Sequence, residues 1–338
     1  SIGKLRGDVD SRRKYLYSEE GTVMEESEEP AIMMECWRDI YQAGKNNILE
    51  VWSEEEKVKY VEEWRKGIDQ DRRREELRQT MAIPQIGRVG GISKWMRKEP
   101  IVENNIKCAI NRLKNGKQGG PDELKAELYK ALGGSDVCMD TLVKLYNGII
   151  DGEQVNMTWK TSRTNMIPKV GRLKPTEHRP IALTNVGYKL FMGVLKNRLI
   201  EQTMGEVRVG YLQAGFTAGR RMEENLFMLE YMVDESYRMG KQLVTLAIDY
   251  RKAFDSVERG ALVSALKYYK CEPGLITAIA SLYRGDRTYI YREGNRMGEM
   301  EVTRGIRQGC TGSPQLFLMV IGMIIERLII SGLGYRAG

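Results

Sequence analysis

One stretch constrains the fold of this chain more than any other, the apolar run LVTLAI at positions 243–248, which Asp249 follows directly. An apolar run of this length is typical of a buried β-strand. A carboxylate that leaves water destabilises the fold unless a cation pairs with it. The stretch therefore predicts one of two arrangements: a cation or metal beside Asp249, or a solvent-exposed strand end at this residue.

The composition describes a folded protein with a moderate excess of positive charge. The 338 residues are 42% hydrophobic and carry 53 Lys and Arg against 46 Asp and Glu, for a net charge of +7. This length accommodates two or three domains, and the charge is compatible with a polyanionic partner. The apolar run at 316–325 is too short to cross a bilayer, so no membrane partner is expected.

The cysteine and histidine content disfavours zinc sites and disulfide frameworks. The five cysteines are odd in number and scattered without CxxC spacing, and His178 is the single histidine. These counts favour a reducing compartment. His178 stands in the polar segment PTEHRP, which predicts a solvated residue without a functional role.

The pattern of elements predicts an α+β fold. Positions 1–29 are polar and glutamate-rich, which indicates a flexible or solvated lead-in, and 30–79 show the apolar spacing of two helices. Asp122 is suited to cap a later helix. Further helices are expected at 101–114, 122–132, 135–150, 188–204, 223–239, 258–269, 274–284 and after Ser313-Pro314, and strands at 161–168, 243–248, 287–292 and 299–303.

Four segments carry residues suited to nucleotide chemistry. Lys169 and Arg179 stand near the inner ends of two strands of a predicted hairpin, which would bring them close in space. A lysine point charge and an arginine fork placed in this way can hold a triphosphate. The segment QAGFTAGRR at 213–221 joins two glycines to Arg220 and Arg221, which suit phosphates. The remaining two are the stretch 249–255 and the loop GIRQGCTGSP at 305–314. Taken alone, each segment equally fits an ordinary hairpin, capping loop or turn.

The order of these segments resembles the reverse transcriptases of non-LTR (LINE-type) retrotransposons. The basic hairpin, the QAGF loop, the KAFDSV stretch and the RQGC loop follow one another within positions 100–338, and four motifs in family order are more specific than any one. Group II intron reverse transcriptases and maturases are similar relatives. The resemblance implies a right-hand polymerase: fingers at 100–240 and a partial palm at 241–338, mostly helical with a small antiparallel sheet, after a helical N-terminal extension at 30–99.

The resemblance also implies how metal and nucleotide are bound. Asp249 matches the first metal-binding aspartate of the palm, and Tyr250 would add a backbone carbonyl, so that two Mg²⁺ ions would lie at the predicted strand end. Lys169 and Arg179 match the residues that clamp the incoming triphosphate. Phe254 matches an aromatic gate that excludes a 2′-hydroxyl, although an ordinary core aromatic would look the same.

Other positions match parts of the family that touch nucleic acid or support the site. Gln308 and Gly309 match the loop that positions the nucleotide and the template base. Arg220 and Arg221 would face nucleic acid, whereas Asp255 is similar to a position that makes structural contacts and receives no metal.

The sequence departs from the family pattern in one respect. The aromatic-x-Asp-Asp motif that carries the other catalytic carboxylates does not appear before Gly338, and the chain contains no Asp-Asp dipeptide. We therefore expect these 338 residues to be a catalytically incomplete but RNA-binding part of an RNA-directed DNA polymerase. A domesticated or maturase-like RNA-binding module on the same scaffold is the alternative.

This function implies template RNA, a DNA primer and dNTPs as partners. The extension carries a basic cluster, Arg72, Arg73 and Arg74, which is a candidate template contact, while a purely packing role for the extension is equally open. For a eukaryotic retrotransposon the family implies an intracellular protein, found in the nucleus and transiently in the cytoplasm.

Overall fold

Helices make up about half of the described chain, which also contains one small sheet. A computed structural model describes residues 27–42, 99–169, 174–203 and 213–330, together with the helical positions 55, 59 and 62. The helices are α1 (Glu29–Gln42), α2 (Glu103–Asn111), α3 (Ala126–Leu132), α4 (Asp136–Asp151), α5 (Met157–Lys160), α6 (Val186–Thr203), α7 (Met222–Arg238), α8 (Arg259–Tyr268), α9 (Pro273–Tyr283) and α10 (Ser313–Ile330). The strands are β1 (Thr161–Pro168), β2 (His178–Thr184), β3 (Arg287–Arg292) and β4 (Asn295–Glu301), and Pro175–Glu177 form a 3-10 turn.

The four strands form one mixed sheet in the order β2-β1-β3-β4. β1 and β2 are antiparallel, with Ile167 opposite Arg179, and β3 and β4 form an antiparallel hairpin. The central pair, β1 and β3, is parallel. The α+β class is confirmed, but the expected antiparallel sheet is wrong for this pair. A parallel neighbour needs a long crossover, and more than a hundred residues between β1 and β3, including α6 to α9, provide it.

The strand predicted at 243–248 is absent from the structure. This segment has no regular secondary structure, and Val244 and Leu246 are 91% and 80% exposed. A strand is stable only when a neighbour pairs with its backbone, and the described sheet places no strand beside this segment. The prediction of a buried strand is therefore wrong here, and Asp249 occupies an exposed position.

The main core is built around α6. The buried residues of α6 lie on all sides of the helix, as expected of a central element, and α2, α4, α8, α9 and α10 contribute to the same cluster. Its largest fully buried side chains include Tyr146, Tyr188, Phe191 and Tyr283.

A smaller core joins α1 to the sheet. It contains Met33 and Trp37 of α1 together with Met166, Ile290 and Met300 of the strands. The packing is close, because a Cβ atom at Gly298 of β4 would lie 2.6 Å from the sulfur of Met34. The predicted N-terminal extension therefore begins with a helix that is part of the folded body.

Several predicted boundaries shift in the structure. The second helix of the 100–152 region begins at Ala126 instead of 122, because Asp122 accepts a hydrogen bond from the Leu124 amide in a turn ahead of the helix. The short helix α5 was not predicted, and β4 covers Asn295–Glu301 instead of 299–303. The proposed divisions at 29, 99 and 240 remain predictions. In the part of the chain that the structure describes, no helix is long and apolar enough to span a membrane.

Candidate nucleotide and nucleic-acid site

An open cleft of about 390 Å³ separates the end of β1 and the 3-10 turn from the segment 249–252. The side chains that line it are mostly charged. They are Lys169, Lys174, Thr176, Glu177, Asp249, Tyr250, Arg251 and Lys252. Four cations against two carboxylates give the cleft a positive excess, which suits a polyphosphate.

The β1–β2 hairpin places one of the two predicted clamp residues in this cleft. The Lys169 amide donates to the Glu177 carbonyl at 3.1 Å, which extends the ladder beyond β1, and Arg179 pairs with Ile167 two residues away. The backbones of Lys169 and Arg179 are thus close, as the pattern predicted. The Arg179 side chain, however, is exposed and does not line the cleft that contains Lys169.

Asp249 and Tyr250 stand on the opposite wall and supply oxygen atoms. A carboxylate and a backbone carbonyl are ligands that Mg²⁺ accepts. Among the described residues, no group of three or more Asp, Glu, His or Cys side chains is arranged to hold a metal. The described residues of the cleft therefore offer oxygen donors for a divalent cation, and they do not make a complete two-ion site.

Lys252 is a cleft residue that the sequence analysis missed. Its backbone is left-handed, with φ at 54°, and its Nζ atom donates to the His178 carbonyl at 2.7 Å. The ammonium also lies 4.1 Å from the centre of the Trp37 ring. Burial lowers the pKa of Lys252 to about 8. A lysine between two aspartates in DYRKAFD was the available signal.

His178 is buried, so the prediction of a solvated residue is wrong. It begins β2 and shares the buried face of this strand with Pro180 and Ala182. Its Nδ1 atom lies 2.9 Å from the Lys174 carbonyl, whereas Nε2 has no hydrogen-bond partner within the described ranges. Burial lowers the pKa of His178, which favours the neutral imidazole at pH 7.

Asp255 points into the protein and not into the cleft. It is 2% exposed and accepts a hydrogen bond of 2.7 Å from the Gln308 side chain. The Gln308 carbonyl in turn accepts from the Ala182 amide. Gly309 has φ at +95°, and a Cβ atom there would lie 3.1 Å from the Ala182 carbonyl. The loop at 305–314, called the RQG loop below, is thereby connected to both β2 and the 249–255 segment.

A buried ionic cluster connects the same loop to α8 and α5. The Asp286 carboxylate pairs with the guanidinium groups of Arg259 and Arg307, and all three side chains are at most 4% exposed. Arg259 also donates to the Gly305 carbonyl, and Arg307 to that of Lys160. The sequence analysis did not single out these residues, although a charged residue within the segment GIRQG was a usable signal.

Phe254, in the segment 249–255, contacts both the QAGF loop at 213–221 and the loop at 305–314. Its ring stacks on Phe317 of α10 at 4.8 Å between ring centroids, and it lies perpendicular to the ring of Phe216 of the QAGF loop at 6.0 Å. Its carbonyl accepts from the Ile306 amide at 2.9 Å. Phe254 is partly buried, whereas Phe216 is 58% exposed. The structure thus gives Phe254 a packing role, and its function as a sugar gate remains a prediction.

The two arginines of the QAGF loop differ in their surroundings. Arg220 donates from Nε to Glu224 at 2.6 Å, and the Arg221 amide donates to the other oxygen of the same carboxylate. Arg221 itself is exposed. Their contact with nucleic acid remains a prediction, and Arg72, Arg73 and Arg74 lie outside the described residues.

Comparison with known proteins identifies the family. Residues 167–331 match the model of the reverse transcriptase (RNA-dependent DNA polymerase) family. The chain is 30% identical over 62% of its length to the Pol polyprotein of a type-1 retrotransposable element R2 from Nasonia vitripennis, and 30% identical over 68% to that of Bradysia coprophila. A probable RNA-directed DNA polymerase from transposon BS of Drosophila melanogaster is 29% identical over 66%.

The aligned parts cover 20% to 25% of these three relatives, so the chain spans about a quarter of their length or less. The match includes the end of β1, all of β2, the residues that line the cleft and the RQG loop described above. Residues 167–331 therefore form a reverse transcriptase domain, and the chain is similar to the reverse transcriptases of non-LTR retrotransposons.

Proposed function

We propose that the chain forms the fingers and adjoining palm of an RNA-directed DNA polymerase that copies retrotransposon RNA into DNA. The observation that carries the proposal is the shared cleft of Lys169 and Asp249, which come from two separate motifs. The family match covers both residues. A scaffold without enzymatic ancestry has no need to bring a carboxylate and several cations into one open cleft.

The cleft receives the triphosphate of an incoming dNTP. Lys169, Lys174, Arg251 and Lys252 face the same space and offset the charge of a polyphosphate. Phosphoryl transfer depends largely on positioning and charge stabilisation. These cations therefore serve to hold the nucleotide in place for attack by a primer end.

The metal that this site would take is Mg²⁺, which the Asp249 carboxylate and the Tyr250 carbonyl would help to hold. When bound, such ions neutralise the triphosphate and lower the pKa of the attacking hydroxyl. Asp249 and Glu177 are the carboxylates that line the cleft, and among the described residues no group of three or more possible metal ligands is present, which is fewer ligands than two ions need. These 338 residues by themselves are accordingly expected to bind substrates without extending a primer.

Template RNA and the DNA primer are the macromolecular partners. Arg220 and Arg221 stand ahead of α7 in the QAGF loop, whose Phe216 reaches Phe254, and Arg72, Arg73 and Arg74 belong to the extension. Arginine is suited to bidentate contact with phosphate. For a eukaryotic retrotransposon, the protein would be found in the nucleus and transiently in the cytoplasm.

The experiment that tests this proposal measures binding of a primed RNA template and primer extension with Mg²⁺ and dNTPs. Affinity should fall with salt, with a log–log slope of roughly −0.7 for each phosphate contacted on a single strand. No DNA product is expected. RNA binding that is absent, or independent of salt, would contradict the polymerase assignment, and DNA synthesis would contradict the incomplete metal site.

A further inference from the structure

Helix α1 reaches both walls of the cleft from outside through the side chain of Trp37. This residue is 0% exposed, and its Nε1 atom donates to the Pro175 carbonyl at 3.2 Å. Pro175 begins the 3-10 turn that carries Thr176 and Glu177 into the cleft. The ring face of the indole lies 4.1 Å from the Lys252 ammonium on the opposite wall. One indole therefore joins both walls.

Both ends of α1 are fixed to the sheet side of the molecule. At its start, Glu29 pairs with Arg292 of β3 in a mostly buried contact. Near its end, the Tyr41 carbonyl accepts from the amides of Thr303 and Arg304 at 3.0 and 2.9 Å. Because the helix is held at both ends, Trp37 in its middle is a fixed point and not a mobile one.

The position of the Lys252 charge depends on groups outside its own segment. A lysine ammonium is a compact charge on a flexible stem, so its location is set by the partners that hold it. The Trp37 ring is one such partner, and the His178 carbonyl, which follows the 3-10 turn, is another. Removing Trp37 would take away the first of these contacts and leave the turn without its indole donor.

We propose that Trp37 is a positioning residue for the triphosphate cleft, which fixes the Lys252 ammonium against the Pro175 turn. The inference rests on the proposed nucleotide site and gives α1 a role beyond the two alternatives of template contact and plain packing. Trp37 does not line the cleft itself, so it acts on the nucleotide through Lys252 and the turn.

The test is a double-mutant cycle between Trp37 and Lys252, read as affinity of the whole chain for a fluorescent dATP analogue with Mg²⁺. Trp37→Leu removes both contacts, and Lys252→Met removes the ammonium but keeps the stem. A partly desolvated cation–π contact changes affinity by roughly tenfold or less. Trp37→Leu should therefore weaken binding of the analogue about threefold to tenfold. In a chain that already carries Lys252→Met, Trp37→Leu should lower the affinity for the analogue by less than about twofold.

Two further variants separate positioning from general stability. Trp37→Phe keeps an aromatic face over Lys252 and loses only the donor to Pro175, so it should restore part of the affinity and remains usable if Trp37→Leu does not fold. Trp159→Leu is the matched control, because Trp159 packs on Tyr146 and Phe191 in the main core. It should lower the melting temperature and leave affinity unchanged.

Different results would overturn the positioning role of Trp37 and the nucleotide-binding role of the cleft. The positioning role would be overturned if Trp37→Leu cost the same affinity with and without the Lys252→Met change, or if Trp37→Leu and Trp159→Leu caused equal losses. Nucleotide binding itself would stand in either case. If the folded unmodified chain does not bind the analogue, the nucleotide cleft is overturned, and the positioning role falls with it.

Discussion

The side-chain amide of Gln308 donates a 2.7 Å hydrogen bond to the carboxylate of Asp255, 53 positions earlier in the chain. This contact ties the RQG loop to the segment that carries Asp249. Because Asp255 is almost completely buried, the pKa of its carboxyl is raised to about 7. The site is therefore supported by a group that titrates near neutral pH.

This titration predicts a pH dependence of stability. The folded protein retains the Asp255 proton to higher pH than the unfolded chain, whose carboxyl has the ordinary pKa of 3.8. The resulting stabilisation is complete below about pH 4 and is lost as the pH rises through about 7. The loss should be on the order of a few kcal/mol.

Urea unfolding of the unmodified chain and of Asp255→Asn across this range checks the prediction. The asparagine does not titrate, so the free energy of unfolding of the unmodified chain should fall relative to the variant as the pH rises. Two curves that stay parallel from about pH 4 to about pH 8 would contradict it.

The buried Asp286 cluster predicts a large loss of stability on a single change. Asp286→Ala leaves the guanidinium groups of Arg259 and Arg307 without their carboxylate, so the free energy of unfolding should fall by about 3–5 kcal/mol. Glu299→Ala is the control, because its pair with Arg287 is exposed and should contribute about 1 kcal/mol or less. Similar losses for the two variants, measured by urea unfolding, would disprove the anchoring role.

Phe254→Val separates the sugar gate from core packing. If the ring excludes a 2′-hydroxyl, the preference of the chain for dATP over ATP should fall, by up to on the order of a hundredfold, since a removed clash is worth a few kcal/mol. Loss of the Phe317 stack should also lower the free energy of unfolding by roughly 1–3 kcal/mol.

Competition of dATP and ATP against a fluorescent nucleotide gives the preference, and urea unfolding gives the stability. Phe191→Leu is a control in the main core, where stability should fall without a change in preference. A lower stability of Phe254→Val with an unchanged preference would leave packing as the only role of this ring.

The helices and the β1 and β3 strands were predictable because their apolar spacing and their Gly, Pro and Ser boundaries act locally. β1, for example, covers Thr161–Pro168, the range expected from its sequence. The segment 243–248 shows the limit of this approach. Its composition favours a strand, but a strand exists only if another segment pairs with it, and that depends on the rest of the fold.

Motif order singled out Lys169 and Asp249, which the structure brings to one cleft, while their roles in binding remain predictions. Lys252 and Trp37 were not found, because their importance comes from a contact between distant segments and not from residue type. His178 was misjudged for a similar reason: its neighbours in sequence are polar, whereas burial is set by the face of β2 that it occupies.

The basic cluster at Arg72, Arg73 and Arg74 is predicted to contact template RNA. Changing all three to Glu should weaken RNA binding and reduce the magnitude of the log–log salt slope by up to about 2, which corresponds to roughly three lost phosphate contacts. An equal charge reversal at the exposed positions Lys107, Arg238 and Lys241 controls for net charge. If both triple variants bind RNA alike, the extension has a packing role instead.

The most direct test of the nucleotide cleft is photo-crosslinking of an azido-dATP to the chain in Mg²⁺, followed by mass spectrometry of the labelled peptides. The account predicts label on the two walls of the cleft, at Lys169 and residues 174–177 on one side and at 249–252 on the other, that unlabelled dATP competes away and Lys169→Ala reduces. Label that dATP displaces but that lies on other segments, with none on either wall, would contradict the assignment of this cleft as the nucleotide site.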